Sequence, residues 1–474
     1  MAKFDIGRAK RLLANHGQEH LLRFWNELTA QQQRALLAQI GELDLAKIDE
    51  WVAKIVLSGG PSVVKGKIEA PAYYKATPQD ERQMELYTKA AAIGKKEISQ
   101  GRVAAFVVAG GQGTRLGFDG PKGDFPVSPV KNKTLFQLFA EQIRAASKKY
   151  GLNPRWYIMT SPLNYQATCE VFKTNKHYGL SPEDVFIFEQ GALPNFSADG
   201  KILLADKATI SCSPDGHGGS LKALYKSGAL DDMKHRGIEY ISYFQVDNSL
   251  INIFDPLFVG LHILAESQMS SKAVIKTGPK ERVGNFCMVD GRVTVIEYSD
   301  LPDELAEAKN PDGSYVLGLG SIAIHMISRS FVERLNAKGF ALPLHRAVKE
   351  IPCIDADGNH VQPTRPNGIK LETFVFDALP LAKNSMILET HREREFAPVK
   401  NATGTDSVES ARRMMIARWA DWLEEAGVKV PRKADGSVDA VIEIAHSFAA
   451  GPNELKDKLD KIPEIKPSQS VYLQ

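Results

Sequence analysis

The sequence predicts an α/β fold with a mixed, mostly parallel sheet flanked by helices, a helical N-terminal domain and a small C-terminal domain. From about residue 102, apolar runs of strand length alternate with helical stretches, which is typical of a parallel sheet covered by helices. Before that point the apolar residues follow helical spacing. A chain of 474 residues has room for roughly two to four domains.

We expect three domains, at residues 1–100, 101–384 and 385–474. In the first, the apolar residues of LLRFWNEL (21–28) form one stripe, which favours a helix. The sequence GGP at 59–61 indicates a connection between elements.

The central domain contains four predicted strands and a predicted helix, Thr134–Lys149, between the first two. The strands are Val103–Val108, Trp156–Thr160, Val185–Phe188 and Tyr240–Val246. Asp290-Gly291 separates NFCMV from RVTVIE, which is a strong hairpin signal and predicts an antiparallel insertion near 280–300. In the third domain Met414–Leu423 reads as a helix, and we expect the chain to fray from Pro463 onward.

Composition excludes several classes of protein. Lys and Arg total 59 against 57 Asp and Glu, and no basic tail or repeat indicates a nucleic acid partner. No apolar run reaches the roughly 18 residues of a membrane span, and the N-terminus lacks the apolar core of a signal peptide. The four cysteines lie far apart, without the spacing of a zinc site or disulfide framework. We therefore expect a cytoplasmic protein; its oligomeric state stays open.

The first predicted strand runs directly into a glycine-rich loop, AGGQGTRLG (109–117), which five residues later reaches Lys122. Gly110 and Gly111 allow backbone N–H groups to approach a base and phosphates, because no Cβ intervenes. Arg115 and Lys122 add two cations where phosphate charge would lie. The dinucleotide fingerprint fails because Leu116 occupies its third glycine position, and a P-loop requires Ser or Thr directly after the lysine. The loop therefore predicts a different kind of nucleoside triphosphate site.

Asp247 follows the strand Tyr240–Val246 at its carboxyl end. Carboxylates there suit a hard cation, and Mg²⁺ is the usual escort of triphosphates. An aspartate in this position is more often part of a turn or a helix cap. One sheet would bring Asp247 and the glycine-rich loop to the same edge, which adds weight to a metal role.

Several further motifs follow in order: PKG (121–123), KTLFQ (133–137), EQGALP (189–194), PDGHGG (214–219), VDN (246–248), VDGRVTVIEYSD (289–300), RPNGIKLETFVFD (365–377) and REREFAPVKNA (392–402). With GQEHLLRFWNEL (17–28) and the glycine-rich loop, they cover roughly residues 15 to 405. On these motifs the chain resembles the eukaryotic-type UDP-N-acetylhexosamine pyrophosphorylases, within the group that includes UDP-glucose and UDP-sugar pyrophosphorylases. The resemblance implies a Rossmann-like, GT-A-like nucleotidyltransferase fold and a uridylyltransferase that uses UTP, a sugar 1-phosphate and Mg²⁺.

The resemblance also assigns roles to individual residues. Uracil would be bound by the loop and two later positions: Ala109, Gly110, Gly111, Gln190 and Gly216. Arg115 and Lys122 would bind the triphosphate. Asp247 would bind the metal, and Lys400 would bind the phosphate of the sugar. The sugar itself would be contacted by Gly284, Glu297, His217 and Ser321.

Two of these positions depart from the N-acetylhexosamine pattern. His217 replaces the asparagine of P-D-G-N-G-G, and Ser321 replaces an asparagine in G-N-I-A-N-H. UDP-glucose and broad-specificity enzymes carry histidine in the corresponding turn. Motif coverage favours N-acetylglucosamine 1-phosphate, with a UDP-glucose or broad UDP-sugar enzyme as the alternative. A non-catalytic nucleotide-sugar sensor would be expected to lose Arg115, Lys122 or Asp247, and all three are present.

Overall fold

The computed structural model describes residues 4–58, 66–337, 339–340 and 342–474; the predicted connection at 59–61 lies outside them. The chain divides into two compact units. The smaller unit comprises the described parts of Met1–Val64, Gly191–Gly219 and Ala341–Asp377, and the larger unit comprises those of Lys65–Gln190, Ser220–Phe340 and Ala378–Gln474. These limits differ from the predicted boundaries at 100 and 384, since each unit is assembled from three separate segments.

The α-helices of the described residues are α1 (Ile6–Asn15), α2 (Ala30–Glu42), α3 (Leu45–Trp51), α4 (Glu81–Ser99), α5 (Leu135–Tyr150), α6 (Tyr165–Thr174), α7 (Gly219–Lys226), α8 (Ala229–His235), α9 (Pro256–Leu264), α10 (Asp303–Glu307), α11 (Arg329–Ala337), α12 (Arg392–Glu395), α13 (Val408–Glu425) and α14 (Pro452–Lys456). No helix among these residues is long and apolar enough to cross a membrane.

The strands of the described residues are β1 (Ile68–Glu69), β2 (Val103–Val108), β3 (Trp156–Thr160), β4 (Val185–Glu189), β5 (Ala192–Pro194), β6 (Leu204–Asp206), β7 (Thr209–Ile210), β8 (Cys212–Pro214), β9 (Tyr240–Gln245), β10 (Met269–Ile275), β11 (Gly284–Val289), β12 (Arg292–Ile296), β13 (Leu319–Ser328), β14 (His345–Lys349), β15 (Cys353–Ile354), β16 (His360–Val361), β17 (Gly368–Glu372), β18 (Ile387–Glu389), β19 (Ala440–Ile444) and β20 (Gln469–Leu473).

The larger unit is built on a ten-stranded sheet whose main path runs β1-β11-β13-β9-β2-β3-β4. The strands β9, β2, β3 and β4 are parallel neighbours, whereas β13 and β11 continue the sheet antiparallel. Since Val108 lies opposite Gln245, the carboxyl ends of β2 and β9 meet at one edge. The predicted α/β class, with parallel strands at the centre, is confirmed.

Burial explains why these segments take these forms. All six residues of β2 are buried, as a strand covered on both faces requires. The helix α5 is capped at its start by Thr134, whose side chain accepts a hydrogen bond from the Gln137 N–H, and at its end by Gly151 in a left-handed conformation. Its apolar stripe, including Phe139 and Ile143, joins the same core as β2.

The hairpin predicted at Asp290-Gly291 is confirmed. The strands β11 and β12 pair antiparallel from Asn285 opposite Ile296 to Val289 opposite Arg292. Asp290 and Gly291 have φ values of 48° and 78°, the positive values that a two-residue type I′ turn requires.

The structure corrects two predictions about the ends of the chain. The first 100 residues are mainly helical as predicted, but the apolar stripe at 21–28 is divided between two short 3₁₀ helices, Glu19–Leu22 and Trp25–Glu27, and Leu28 is extended. The C-terminus does not fray: β20 pairs parallel with β19, with Ile442 opposite Val471. Val471 and Leu473 alternate with polar neighbours and are buried in the core, so this short strand has an apolar face to cover.

The smaller unit has a hydrophobic core of its own, formed by α1, α2, α3 and residues of the later two segments. Phe196 and Ile369 exchange backbone hydrogen bonds and are both buried there. The motif PDGHGG (214–219) begins at the last residue of β8, which pairs antiparallel with β5.

Candidate active site

The glycine-rich loop after β2 is shaped by its own backbone. The Lys122 N–H donates to the Gly111 carbonyl at 3.1 Å, and Gly113 N–H donates to Gly120 at 2.9 Å, so the loop folds back on itself. A Cβ on Gly110 would lie 2.6 Å from Gln190 Oε1, so a larger residue there would displace the Gln190 side chain. Gln190 follows β4 and is buried. The structure therefore brings together Gly110 and Gln190, two of the residues predicted to bind uracil.

Lys122 is the most buried cation of the predicted site, with 8% of its surface exposed. Burial lowers the pKa of Lys122, the Asp247 carboxylate opposes this, and Arg115 and Lys400 lower the pKa further. These four side chains therefore lie close enough to interact electrostatically. Within the described part of the chain, none of the three cations forms an ion pair with a carboxylate. Three cations beside one carboxylate form a site suited to polyanions.

Asp247 and Lys400 come together through the backbone. Val246 N–H donates to the Val108 carbonyl at 3.1 Å, which extends the β2–β9 pairing to the start of VDN. Val399 N–H donates to the Asp247 carbonyl at 2.9 Å. Lys400 therefore lies beside the end of β9, although it is remote in sequence.

The side chain of Asn248 strengthens this junction. It donates to the Glu395 carbonyl at 2.8 Å and accepts from the Ala397 N–H at 3.0 Å. Asn248 is 2% exposed, so both hydrogen bonds are shielded from water. Asn248 therefore joins the end of β9 to the segment that leads to Lys400 and holds VDN next to PVKNA.

The residues predicted to face the sugar in the larger unit are also adjacent. Gly284 pairs directly with Ser321 across β11 and β13. A Cβ on Gly284 would lie 3.7 Å from Glu297 Oε1 and 3.8 Å from the Ser321 Cβ. The nearest atom to that Cβ would be Val295 Cγ1, at 2.5 Å, so the strand is tightly packed here and Glu297 and Ser321 lie close to the Gly284 backbone.

Gly216 and His217 belong to the smaller unit. Gly216 has a φ of 84°, and a Cβ there would lie 2.4 Å from the Thr373 carbonyl oxygen. The Val375 N–H donates to His217 Nδ1 at 3.1 Å, and the His217 ring stacks on Phe374 with centroids 5.2 Å apart. With Nδ1 accepting, the neutral imidazole carries its proton on Nε2.

Comparison with known protein families assigns the chain to a family. The family model described as UTP–glucose-1-phosphate uridylyltransferase matches residues 58–474. The chain belongs to this uridylyltransferase family. The match includes every predicted site residue, and it makes the chain an enzyme of the nucleotidyltransferase class.

Individual relatives are similar to this chain over most of its length. It is 37% identical to the human UDP-N-acetylhexosamine pyrophosphorylase-like protein 1, over 88% of this chain and 85% of that one. It is 35% identical to the UDP-N-acetylglucosamine pyrophosphorylase of Saccharomyces cerevisiae, over 89% and 92%. The solved structure of the Trypanosoma brucei uridine diphosphate N-acetylglucosamine pyrophosphorylase superposes with a TM-score of 0.81 at 26% identity, covering 98% of this chain and 97% of that one.

Sequence reasoning missed two groups of residues that contact the predicted site residues or their neighbours. The Asn164 side chain is fully buried and donates to the carbonyls of Ala109 at 2.9 Å and Gly111 at 3.2 Å, which holds the glycine-rich loop. Beside Gly284, buried Lys276 donates from Nζ to Asn285 Oδ1 at 2.6 Å. A single asparagine or lysine in a loop or strand carries no sequence signal of such a contact.

Proposed function

We propose that this uridylyltransferase transfers the uridylyl group of UTP to N-acetylglucosamine 1-phosphate, giving UDP-N-acetylglucosamine and pyrophosphate in the cytoplasm. The observation that carries the proposal is the group of Arg115, Lys122 and Lys400 around Asp247, at the edge where β2 and β9 end. Relatives at 35–37% identity over most of the chain are named for N-acetylhexosamine or N-acetylglucosamine.

In the proposed reaction an oxygen of the sugar 1-phosphate attacks the α-phosphorus of UTP. The new P–O bond forms as the bond from the α-phosphorus to the oxygen bridging to the β-phosphate breaks, and pyrophosphate leaves with that electron pair. The attacking phosphate is already an anion at neutral pH, so no general base is required. The obstacle is the repulsion between two polyanions, which Lys122 and Arg115 on the triphosphate and Lys400 on the sugar phosphate would offset. Holding the phosphates in line supplies much of the remainder.

The residues fit a Mg²⁺ ion that arrives with the nucleotide. Mg²⁺ is commonly held by one or two carboxylates together with substrate phosphates and water, and Asp247 offers one carboxylate beside the three cations. Groups of three or more metal-binding side chains do not occur among the described residues, so the protein would depend on the phosphates for the other ligands. Bound there, the ion would supply charge stabilisation for the phosphates.

The residues that are expected to contact the sugar determine which sugar binds. Glu297 and Ser321 lie close to Gly284 and would accept or donate hydrogen bonds to sugar hydroxyls. In the smaller unit, the hydrogen bond from Val375 to His217 Nδ1 leaves Nε2 as the protonated nitrogen. His217 can therefore donate a hydrogen bond, as the side-chain amide of the replaced asparagine can.

The alternative is a UDP-glucose or broad UDP-sugar enzyme, which the histidine at position 217 and the serine at 321 favour. Pyrophosphate release from UTP, measured with a panel of sugar 1-phosphates, separates the two. We expect N-acetylglucosamine 1-phosphate to be preferred over glucose 1-phosphate by at least about tenfold in kcat/KM, as a hydrogen bond to a substrate group allows. A preference for glucose 1-phosphate would overturn the sugar assignment, and no turnover with any sugar would favour a nucleotide-sugar sensor.

His217→Asn provides a matched test of the histidine. If the Nε2 proton replaces the amide, this variant keeps the preference for N-acetylglucosamine 1-phosphate. A variant without a donor, His217→Phe, loses it while keeping a ring for Phe374 to stack against.

A further inference from the structure

The loop of residues 401–406 connects Lys400 to α13 and is closed by hydrogen bonds to one carbonyl. Lys400 N–H donates to the Asp406 carbonyl at 2.6 Å, and Asn401 N–H donates to the same oxygen at 3.0 Å. The Asn401 side chain also donates to the Thr405 carbonyl at 2.8 Å. The two ends of the loop therefore lie side by side, and the carbonyl of Asp406 at its end holds the backbone of Lys400 at its start.

The backbone of Asp406 is in the left-handed region, with a φ of 56°. For a residue with a Cβ this conformation is unfavourable, and aspartate, asparagine and glycine tolerate it best. Such strain persists where the surrounding structure requires it. Here the conformation directs the Asp406 carbonyl at the two N–H groups of Lys400 and Asn401.

Lys400 is anchored on its other side by Asp247. Val399, the residue before it, donates its N–H to the Asp247 carbonyl. The Lys400 ammonium lies 5.9 Å from the centre of the Phe396 ring. Burial raises the pKa of the Asp406 carboxyl, while Lys400 opposes this and Asp247 adds to it, so the carboxyl also lies within electrostatic reach of both.

The start of α13 does not explain the conformation of Asp406. Ser407 is the N-cap of that helix, and its side chain accepts from the Ser410 N–H while the Ser410 hydroxyl accepts from the Ser407 N–H. The helix is thus capped by its own residues. What Asp406 adds is the closure of the loop onto Lys400.

We infer that Asp406 is a positioning residue for Lys400: its left-handed backbone presents the carbonyl that fixes Lys400 beside Asp247. The inference rests on the proposed role of Lys400 in holding the sugar phosphate. It assigns the effect to the backbone of Asp406, which separates it from a direct role of the carboxylate.

A series of substitutions at one position tests this. Asp406→Gly and Asp406→Asn permit the left-handed backbone, whereas a β-branched residue resists it. We expect both to retain kcat/KM for N-acetylglucosamine 1-phosphate within threefold, and Asp406→Val to lose at least tenfold. The dissociation constant for UTP should stay unchanged in all three, because UTP is assigned to Lys122 and Arg115. A loss in Asp406→Gly as large as in Asp406→Val would overturn the inference, as would wild-type activity in Asp406→Val.

A double-mutant cycle with Lys400→Ala separates positioning from general damage. If Asp406 acts through Lys400, Asp406→Val adds less than twofold to the loss in a Lys400→Ala background, whereas independent effects would multiply. Ser468→Val is the matched control, because Ser468 has a φ of 59° in another part of the chain and should lower stability without changing kcat per folded molecule. Asp406→Ala replaces the valine variant if that one does not fold. Full activity of Lys400→Ala by itself would refute the proposed phosphate role, and multiplied losses would refute only the positioning role.

Discussion

Removing the charge of Lys122 should abolish most turnover while leaving the protein at least as stable. In Lys122→Met the side chain keeps its unbranched stem, is one atom shorter and loses its ammonium. At about 4 Å and an effective dielectric constant near 20, an ammonium and a phosphate charge attract by about 4 kcal/mol. Only the part gained in the transition state affects kcat, and loss of one such donor typically costs about 10²–10³-fold. Because Lys122 is only 8% exposed, little water can replace it, and we expect the upper half of that range.

The same burial predicts the effect on stability. The pKa of Lys122 is lowered first by burial and then by its cationic neighbours Arg115 and Lys400. A lowered pKa in a lysine means that folding disfavours its charged form, so at neutral pH the ammonium opposes folding. Lys122→Met should therefore unfold at the same temperature as the wild type or a higher one. This combination of lost activity and kept stability is typical of residues retained for function.

The assay is pyrophosphate release at saturating UTP and sugar 1-phosphate, together with calorimetric unfolding of the same samples. Lys95→Met, on the exposed face of α4, is the control and should match the wild type in both measurements. Turnover of Lys122→Met within tenfold of the wild type would refute the assignment of Lys122 to the reacting phosphates. A lower unfolding temperature would instead refute the electrostatic account of its burial.

Four other outcomes are expected. Asp247→Asn should weaken binding of Mn²⁺, used as a paramagnetic probe for Mg²⁺ in the presence of UTP, by at least about tenfold, and unchanged binding would remove Asp247 as a ligand. Gly110→Ala places a Cβ against Gln190, so KM for UTP should rise by roughly tenfold or more and discrimination against CTP should fall; an unchanged KM would contradict the uracil assignment. Burial lowers the pKa of His262 to about 3, so the folded protein binds fewer protons than the unfolded chain between about pH 6.5 and 3. Stability is therefore lost as the pH falls through that range, and unfolding titrations of His262→Asn should show a shallower loss. Deleting residues 468–474 removes two buried apolar side chains and should lower the free energy of unfolding by about 3–6 kcal/mol; an unchanged denaturant midpoint would contradict the packing of β20.

The strands and the site edge could be predicted because their signals are local. The apolar run Val103–Val108 cannot be satisfied except in a buried strand, and an Asp-Gly pair between alternating runs leaves few options but a hairpin. Once β2 and β9 are taken as parallel neighbours, Asp247 must lie at the edge where the glycine-rich loop begins.

The contacts that position Lys400 could not be predicted, since they depend on residues remote from each other in sequence. The hydrogen bond from Val399 to Asp247 joins segments with no shared pattern. The C-terminal strand was missed because PEIKPSQSVYLQ contains proline and serine, and only the pairing with β19 shows that its last apolar residues have a partner. The stripe at 21–28 follows the helical period, yet in the structure it is divided between two short 3₁₀ helices. The spacing of apolar side chains predicts neither where such a helix ends nor its type.

The interleaving of the two units along the chain has a consequence for biosynthesis. The smaller unit needs Phe196 to meet Ile369, so its core cannot close until the segment that contains Ile369 has left the ribosome. The helices α1, α2 and α3 are made before the two later segments of this unit and must wait for them. Long-range closure of this kind slows folding and leaves apolar surface exposed in the nascent chain. We therefore expect this fold to depend on chaperones during synthesis, which the stability of the finished protein does not reveal. Pulse-labelled release of chains halted before and after residue 377 would measure that dependence.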